Sequence, residues 1–449
     1  MRICLKQVIL GWVAICLLAP GGLKAGGATI LDVTVYAMGG LALLHWLSEG
    51  QGLKRLQTVE KWLLYLLLVV TVSYLYNSFA PFEEQKAFVT FLGVSSEFLY
   101  LRLCIYGLMT ILMIFGGYHL AASIMKTPED VRSLVKVILG CGFVNAVVSL
   151  IYWGVVTGAT LDRYNFTPPI EGSQGIHLSY MSLVGILAIA LLISGELSWR
   201  QRCFVWLVAG ACCLSMLTVI VRQAWVMFLA SVALLFLLYM AKFPSKSSRW
   251  AVLYLTVLLA VGVGAAVSMN RALLAELFLD VISVSGTDTD QGAWLMRFAL
   301  VQHGIDIFLA NPLLGVGFGH YIAYSTVPVV ISGYAQYVSS PHNGVVTILA
   351  ETGVAGFVCL LGISGALLRQ HYNVYRRCRT RYAASVVCAV FALLIVVIAA
   401  QVISNSLLLP LPTERSMTQS SFIIWLMFGV VAAIGRMPEP GTGTAGGGS

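Results

Sequence analysis

Long uninterrupted runs of apolar residues follow one another along almost the whole chain. Each run has about the 20 residues that an α-helix needs to cross the hydrocarbon layer of a membrane. The runs lie at residues 7–22, 28–47, 61–79, 98–124, 133–157, 176–195, 203–221, 223–241, 249–268, 343–368, 382–407 and 419–436. They lack the alternation of apolar and polar residues that is typical of membrane barrel strands. The pattern predicts an all-α polytopic membrane protein with about 12 transmembrane helices.

The composition supports this fold class. Hydrophobic residues make up 59% of the chain and charged residues 10%, and the mean hydropathy is +0.88. A water-soluble domain exposes more charge than this, so a soluble globular fold is excluded. The 10 cysteines fall in apolar runs or inward loops, and no cysteine–histidine spacing is typical of a metal site. We therefore expect no disulfide framework, no metal and no cofactor.

The positive charge is distributed unevenly across the predicted membrane. When the N-terminus is placed inside, most of the 27 lysines and arginines fall in inward segments. This is the bias expected of short cytoplasmic loops, and it predicts that both termini are cytoplasmic. Because topology explains the net charge of +8, the sequence gives no reason to expect nucleic-acid binding.

The chain divides into four predicted regions. Residues 1–268 form a membrane domain with helices 1–9, residues 269–342 an outward loop, residues 343–436 a membrane domain with helices 10–12, and residues 437–449 a flexible cytoplasmic tail. The first apolar run is short and ends near Pro20, a pattern that also fits a signal peptide. We interpret it as an uncleaved first helix, and the remaining topology is the same in either case.

The outward loop between helices 9 and 10 is far longer than any other connection, and long ordered loops are usually functional. Its segment "QGAWLMRFALVQHGIDIFLANP" predicts a helix that ends at Asn311-Pro312. Apolar side chains recur in it at helical spacing: Trp294, Phe298, Val301, Ile305 and Phe308. We expect this helix to lie on or near the membrane surface.

Few basic residues fall on the outward side, so each is a candidate ligand for an anion. Arg222 lies between two apolar runs, where the chain has to turn, and a guanidinium fixed there matches a lipid-borne phosphate. The alternative is an arginine that reaches to lipid headgroups. Arg297 lies on the predicted loop helix beside its apolar stripe. Arg163, next to Asp162, and Lys86, after two glutamates, are weaker candidates because they fit ordinary loop charges.

The stretch "SSPHNGVVTILAETG" places a histidine at the mouth of the tenth helix. Pro341 favours extended backbone before it, and Asn343 is a predicted N-cap. His342 would then face water, and an ordinary imidazole pKa of about 6.5 suits a general base. A capping or interfacial histidine is the alternative. Glu351 lies ~12 Å further along the helix. A buried acid there is a functional candidate, or it hydrogen-bonds a neighbouring element.

Two further motifs are set aside. "GVGFGHY" resembles a dinucleotide-binding turn but follows Asn311-Pro312 and not a strand, so we interpret its glycines as permitting a tight return of the loop. Asp288 and Asp290 in "TDTDQG" are interpreted as acids that stabilise the start of a helix. A divalent-metal site is the alternative interpretation of that pair.

The order of these pieces resembles the O-antigen ligase and polymerase family of bacterial envelope enzymes. The resemblance rests on "VRQAW" at a turn, an arginine in a loop helix, "NPLLGVGFGHY" and "PHNGVVTILAETGVAG", within residues 222–357. It implies a fold like that of the lipid-dependent type C glycosyltransferases, with a periplasmic active site. The chain would be a multi-pass protein of the Gram-negative inner membrane. Gln223 departs from the small residue that often follows the first arginine in the family.

The resemblance also implies substrates and roles. The donor would be a glycan on undecaprenyl pyrophosphate and the acceptor the lipid A–core oligosaccharide, in an inverting and metal-independent transfer of lipopolysaccharide biosynthesis. His342 would be the base, and Arg222 and Arg297 would bind the pyrophosphate, with Arg163 and Lys86 as further cations. Asn343 and Glu351 would support the site. The alternatives are an O-antigen polymerase, a protein O-oligosaccharyltransferase and, from a different class, a transporter of lipid-linked glycans.

Overall fold

The structure is a computed structural model. It describes residues 56–78, 96–156, 158, 174–218, 222–244, 288–324, 328–331, 334–337, 341–402, 408–409 and 415–438, with scattered positions between 7 and 48. Lys86, Arg163 and the predicted ninth helix (249–268) lie outside the described residues.

The part of the chain that the structure describes contains eleven complete helices, numbered in chain order. They are α1 Thr58–Ser78, α2 Ser96–Ile124, α3 Pro128–Val155, α4 Gln174–Ser194, α5 Trp199–Leu217, α6 Arg222–Lys242, α7 Asp288–Ala310, α8 Tyr321–Tyr324, α9 Gly344–Arg377, α10 Arg381–Ala400 and α11 Arg415–Ile434. Two antiparallel hairpins join β1 Lys24–Ala25 to β2 Ala28–Thr29 and β3 Pro328–Ile331 to β4 Tyr334–Tyr337. The predicted helical architecture is confirmed, and the two short hairpins are added to it.

Seven of the described helices are long and apolar enough to cross a membrane. They are Thr58–Ser78, Tyr100–Ile124, Pro128–Val155, His177–Ser194, Ala224–Lys242, Gly344–Arg377 and Arg381–Ala400. Large apolar side chains on several helices point outward, such as Leu68 and Leu207, each 61% exposed. Such a surface is stable against lipid and not against water. The multi-pass membrane fold is therefore confirmed, whereas the total of about 12 spans stays a prediction.

Three short connections of the bundle lie at one end, which we call the basic end. They join α2 to α3, α4 to α5 and α9 to α10. Two of the following helices begin with a capping box, formed by Thr127 with Asp130 and by Ser198 with Gln201. Most described basic residues cluster there, including Lys126, Arg200, Arg202, Arg377, Arg379, Arg381 and Arg436. This clustering matches the inward bias predicted from the sequence.

Several helix boundaries differ from the prediction, among them the end of α9 and the start of α6. Helix α9 continues to Arg377, well past the predicted end at residue 368, because its polar last turns extend beyond the apolar run. Helix α5 ends at Leu217 and α6 begins at Arg222. Arg222 and Gln223 therefore lie inside α6, and the predicted turn does not fall at these two residues.

Candidate active site

His342 lies directly before α9, where the backbone is held on both sides. Asn343 caps the helix as predicted, because its Oδ1 accepts hydrogen bonds from the Val345 and Val346 amides at 3.1 and 3.0 Å. Its Nδ2 donates to the Val402 carbonyl at 2.7 Å, and the Gly344 amide donates to the Gln401 carbonyl at 2.8 Å. The mouth of α9 is therefore tied to the end of α10.

The backbone of His342 adopts a left-handed conformation with φ 52°. No other non-glycine residue in the part of the chain that the structure describes has a positive φ. A side chain in this region costs about 1–2 kcal/mol, so the surrounding contacts have to impose it. Buried Pro341 on one side and the Asn343 cap on the other supply them. Strain of this kind is concentrated at functional sites, where it fixes a side chain in one place.

Helix α9 is broken one-third of the way along. Gly353 has φ 63° and ψ −163°, which are not helical values, and the break leaves backbone groups without partners inside the helix. The segment Asn311–His320, here called the glycine segment, supplies those partners. Its bonds with α9 are Val316 N to Ala350 O at 3.0 Å, Gly317 N to Glu351 O at 2.8 Å, Val354 N to Pro312 O at 2.8 Å and Ala355 N to Leu313 O at 3.2 Å.

Glycine is required on both sides of this contact. A Cβ added to Gly315 would lie 2.3 Å from the carbonyl carbon of Glu351, and a Cβ on Gly353 would lie 2.3 Å from that of Leu313. Both glycines also have φ 63°, a value that other residues rarely adopt. The two backbones touch directly, which confirms the interpretation that the glycines permit a tight return of the loop. The segment follows helix α7 and not a strand, which agrees with rejecting a dinucleotide motif.

Glu351 connects α9 to the residues that follow the glycine segment. It is 1% exposed, and its Oε1 accepts a hydrogen bond from the Tyr321 amide at 3.1 Å. Tyr321 in turn donates its hydroxyl to the Leu300 carbonyl of α7 at 3.0 Å. Of the two roles expected for Glu351, the structure supports hydrogen bonding to a neighbouring element. It positions the chain between α7 and α9.

Sequence reasoning missed three polar residues of α1 that hold the other side of the glycine segment. Ser73 Oγ donates to the Leu314 carbonyl at 2.7 Å, Asn77 Nδ2 to the Gly315 carbonyl at 3.0 Å and Tyr74 OH to the Phe318 carbonyl at 2.6 Å. Polar residues are costly in a membrane helix and usually have partners in the protein interior. Ser73 and Asn77 are four residues apart on one helical face, and this spacing is the signal that was available.

We expect the hydroxyl of Tyr74 to stabilise the fold measurably. Tyr74→Phe removes the short hydrogen bond to the buried Phe318 carbonyl and leaves that oxygen only His320 Nδ1, at 3.3 Å, at a cost of about 1 kcal/mol. The thermal unfolding temperature of the purified protein should fall. Tyr76→Phe is the matched control on the same helix, because Tyr76 is 62% exposed and should unfold like the parent. Equal unfolding temperatures for the two variants would contradict this account.

Three histidines lie near the glycine segment and the mouth of α9, and their surroundings differ. His320 is fully buried between Tyr74 and Tyr100, with ring centroids 5.4 and 4.7 Å away. Burial lowers the pKa of His320 to about 4, so its ring is neutral. His303 Nε2 lies 2.8 Å from the Tyr324 carbonyl, to which it donates. His342 is partly exposed at a helix mouth, and this position suits a group that meets a substrate.

For Arg222 and Arg297, the two arginines proposed to bind an anion, the structure gives the positions of the backbone. Arg222 is the first residue of α6. Arg297 lies on α7, seven residues or two turns before Gly304, and so on the same helical face. A Cβ on Gly304 would lie 2.5 Å from Val346 and 3.7 Å from Pro341. Helix α7 therefore packs at Gly304 against Pro341 and the first turn of α9, and Arg297 lies about 10 Å away along α7 at 1.5 Å per residue.

The predicted acidic pair lies at the start of the same helix. Helix α7 begins at Asp288, and Asp290 lies in its first turn. Carboxylates at this position interact favourably with the helix dipole. Among the described residues, no group of three or more histidine, cysteine, aspartate or glutamate side chains is placed to hold a metal ion. Whether the activity depends on a metal stays a prediction for experiment.

Comparison with known protein families finds a match over this part of the chain. Residues 207–361 match the family model described as O-antigen ligase. The matched part runs from α5 through the break in α9, and it includes Arg222, Arg297, the glycine segment and His342. The resemblance inferred from these motifs is confirmed. A search of curated proteins found no match to the chain.

Proposed function

We propose that this chain, a multi-pass membrane protein whose residues 207–361 belong to the O-antigen ligase family, joins O-antigen to lipopolysaccharide. The donor is a glycan on undecaprenyl pyrophosphate and the acceptor is lipid A–core oligosaccharide. Transfer takes place at the periplasmic face of the bacterial inner membrane. The family match supports a lipid-linked glycan transferase of the ligase or polymerase type, and the choice of donor and acceptor is the finer part of the proposal.

The conformation of His342 carries the proposal. His342 has a left-handed backbone and precedes the Asn343 cap at the start of α9. The start of α9 lies at the end of the bundle opposite the basic end. The inward bias of basic residues makes that opposite end the periplasmic one. There, His342 accepts the proton of the acceptor hydroxyl as that oxygen attacks the anomeric carbon of the donor. A positioned base of this kind is worth about 10²–10⁴-fold in rate.

The leaving group needs stabilisation of charge more than it needs a proton. As the new glycosidic bond forms, the bond from the anomeric carbon to the phosphate oxygen breaks, and its electron pair stays on undecaprenyl pyrophosphate. Arg222 and Arg297 bind that pyrophosphate through bidentate hydrogen bonds. Lys86 and Arg163 add positive charge beside it. A single displacement of this kind inverts the configuration at the anomeric carbon and requires no metal or cofactor.

Arginine geometry should matter at residue 222. In Arg222→Lys the charge is kept but the planar fork is lost, so we expect transfer to fall by about 10²-fold, as when one donor to a developing anion is removed. Arg202→Lys at the basic end is the control and should be as active as the parent. Initial rates with purified protein and lipid-linked donor provide the measurement. Full activity of Arg222→Lys would remove this residue from the pyrophosphate site.

The direct test uses purified protein in lipid nanodiscs with lipid-linked donor. Parallel reactions contain lipid A–core oligosaccharide, a second lipid-linked glycan or an acceptor protein. Product only in the first reaction supports the ligase, product only in the second indicates a polymerase, and product only in the third indicates a protein O-oligosaccharyltransferase. Movement of donor across the bilayer without any product would indicate a transporter.

A chelator arm addresses the metal. We expect full transfer in the presence of a chelator. Inhibition that an added divalent ion reverses would restore the metal interpretation of Asp288 and Asp290.

A further inference from the structure

A cavity lies at the basic end of the bundle, away from the candidate active site. Its volume is about 380 Å³, and its described lining includes Trp46, Glu60, His119, Lys126 and Arg436. Glu60 and Asn77, which bonds the glycine segment, lie on the same helix about 25 Å apart at 1.5 Å per residue. The proposed glycan transfer therefore makes no use of this cavity.

The buried carboxylate in the cavity wall has hydrogen-bond partners within the protein. Glu60 is buried, and one of its carboxylate oxygens lies 2.7 Å from His119 Nδ1. The other oxygen accepts a hydrogen bond from the main-chain amide of Gln57 at 2.7 Å. The His119 ring also stacks on Phe115, with an angle of 5° between the planes. Because both oxygens of Glu60 already have partners, the charged groups left to meet an anionic ligand are the side chains of Lys126 and Arg436.

Arg436 is held at the cavity by the main chain. Its Nη1 donates to the Ala122 carbonyl near the end of α2 at 3.2 Å, which uses one of the five N–H donors of a guanidinium. Lys126, on the connection from α2 to α3, lines the same cavity. A fixed guanidinium and a nearby ammonium form a site that suits a phosphate group.

The rest of the lining indicates an amphiphile. Leu56, Met125 and Met437 form an apolar part of the same wall, and Trp46 is a residue type enriched at membrane interfaces. Basic pockets between membrane helices on the cytoplasmic side bind anionic headgroups. We propose that this cavity binds a phosphate group, and that the headgroup of an anionic phospholipid in the adjacent leaflet supplies it. The apolar wall accommodates the start of the acyl chains.

The test measures lipid binding to the full-length protein in detergent. Phosphatidylglycerol should raise the thermal unfolding temperature in a saturable way, and phosphatidylcholine at the same concentration should not. Lys126→Gln and Arg436→Gln should each weaken the apparent affinity for phosphatidylglycerol about fivefold, as expected for one basic residue at an anionic membrane surface. Arg202→Gln, an exposed arginine at the same end but outside the cavity, is the matched control and should bind like the parent.

Three outcomes would overturn the proposal. Inorganic phosphate that stabilises the protein as strongly as the lipid would assign the site to free phosphate. Unchanged affinity in both cavity variants, or an equal loss in Arg202→Gln, would show that phosphatidylglycerol binds elsewhere. If Arg436→Gln fails to fold, Lys126→Gln alone decides, because Lys126 is exposed and the bond it donates to Asp130 comes from its main-chain amide. Glycan transfer is a separate readout, so failure here would leave the proposed function intact.

Discussion

His342→Asn is expected to abolish practical glycan transfer while the protein still folds and binds its donor. Asparagine tolerates left-handed backbone better than most residues, so it keeps the φ of 52° recorded for His342. The asparagine side chain has no basic group that can take the proton from the hydroxyl of the acceptor substrate. We expect the turnover rate with purified protein and lipid-linked donor to fall by about 10²–10⁴-fold, the usual contribution of a general base.

Two companion variants separate chemistry from strain. His342→Gly also removes the base but accepts the left-handed backbone without cost. His342→Ala removes the base and keeps a strained Cβ, so it should unfold at a lower temperature than the glycine variant, by about 1 kcal/mol in free energy. All three should be equally inactive. Near-parental transfer by His342→Asn would show that His342 is not the base, whatever the unfolding temperatures.

Gly315→Ala is expected to dismantle the contact between the glycine segment and the broken helix. Its Cβ would lie 2.3 Å from the Glu351 carbonyl carbon and 2.4 Å from the Thr352 amide nitrogen. Both of those atoms are main chain, so neither can rotate away as a flexible side chain does. Forcing the backbones apart would break the bonds that satisfy the break in α9, and we expect the purified protein to unfold at a much lower temperature and to lose transfer.

Gly158→Ala is the matched control for this prediction. Gly158 has the same φ of 63°, but a Cβ there would meet nothing within 4 Å. It therefore measures the cost of the left-handed conformation alone, about 1–2 kcal/mol. The Gly315 variant should lose about 1–3 kcal/mol more, as overpacked positions do. Equal losses in the two variants would mean that the close backbone contact at Gly315 is not part of the native fold.

The local features of this protein were predictable because they depend on short stretches of chain. The run at residues 98–124 corresponds to α2 at Ser96–Ile124, since hydrophobic length decides where a helix crosses lipid. Asn343 was predicted as a cap and caps α9. Asn311-Pro312 was predicted to end the loop helix, and α7 ends at Ala310. Each of these signals acts over a few residues, so no knowledge of the fold was needed.

The contacts that hold the candidate site together were not predictable in the same way. Ser73 and Leu314 are separated by 241 residues along the chain, and nothing in either stretch specifies the other. The break in α9 was missed because a single glycine inside an apolar run is compatible with a continuous helix. Only the glycine segment, which supplies the missing hydrogen bonds, makes the break stable at that depth.

By itself the sequence determined that the chain is a helical membrane protein, which end carries the basic residues, and which motifs mark its family. These follow from hydrophobic length, charge bias and residue order, which are properties of the chain before it folds. Only the tertiary structure decided that α1 and the broken α9 enclose the glycine segment, and that His342 is held in a left-handed conformation. Both depend on bringing distant backbones into contact, because buried peptide groups in a membrane protein have to find hydrogen-bond partners wherever the fold provides them.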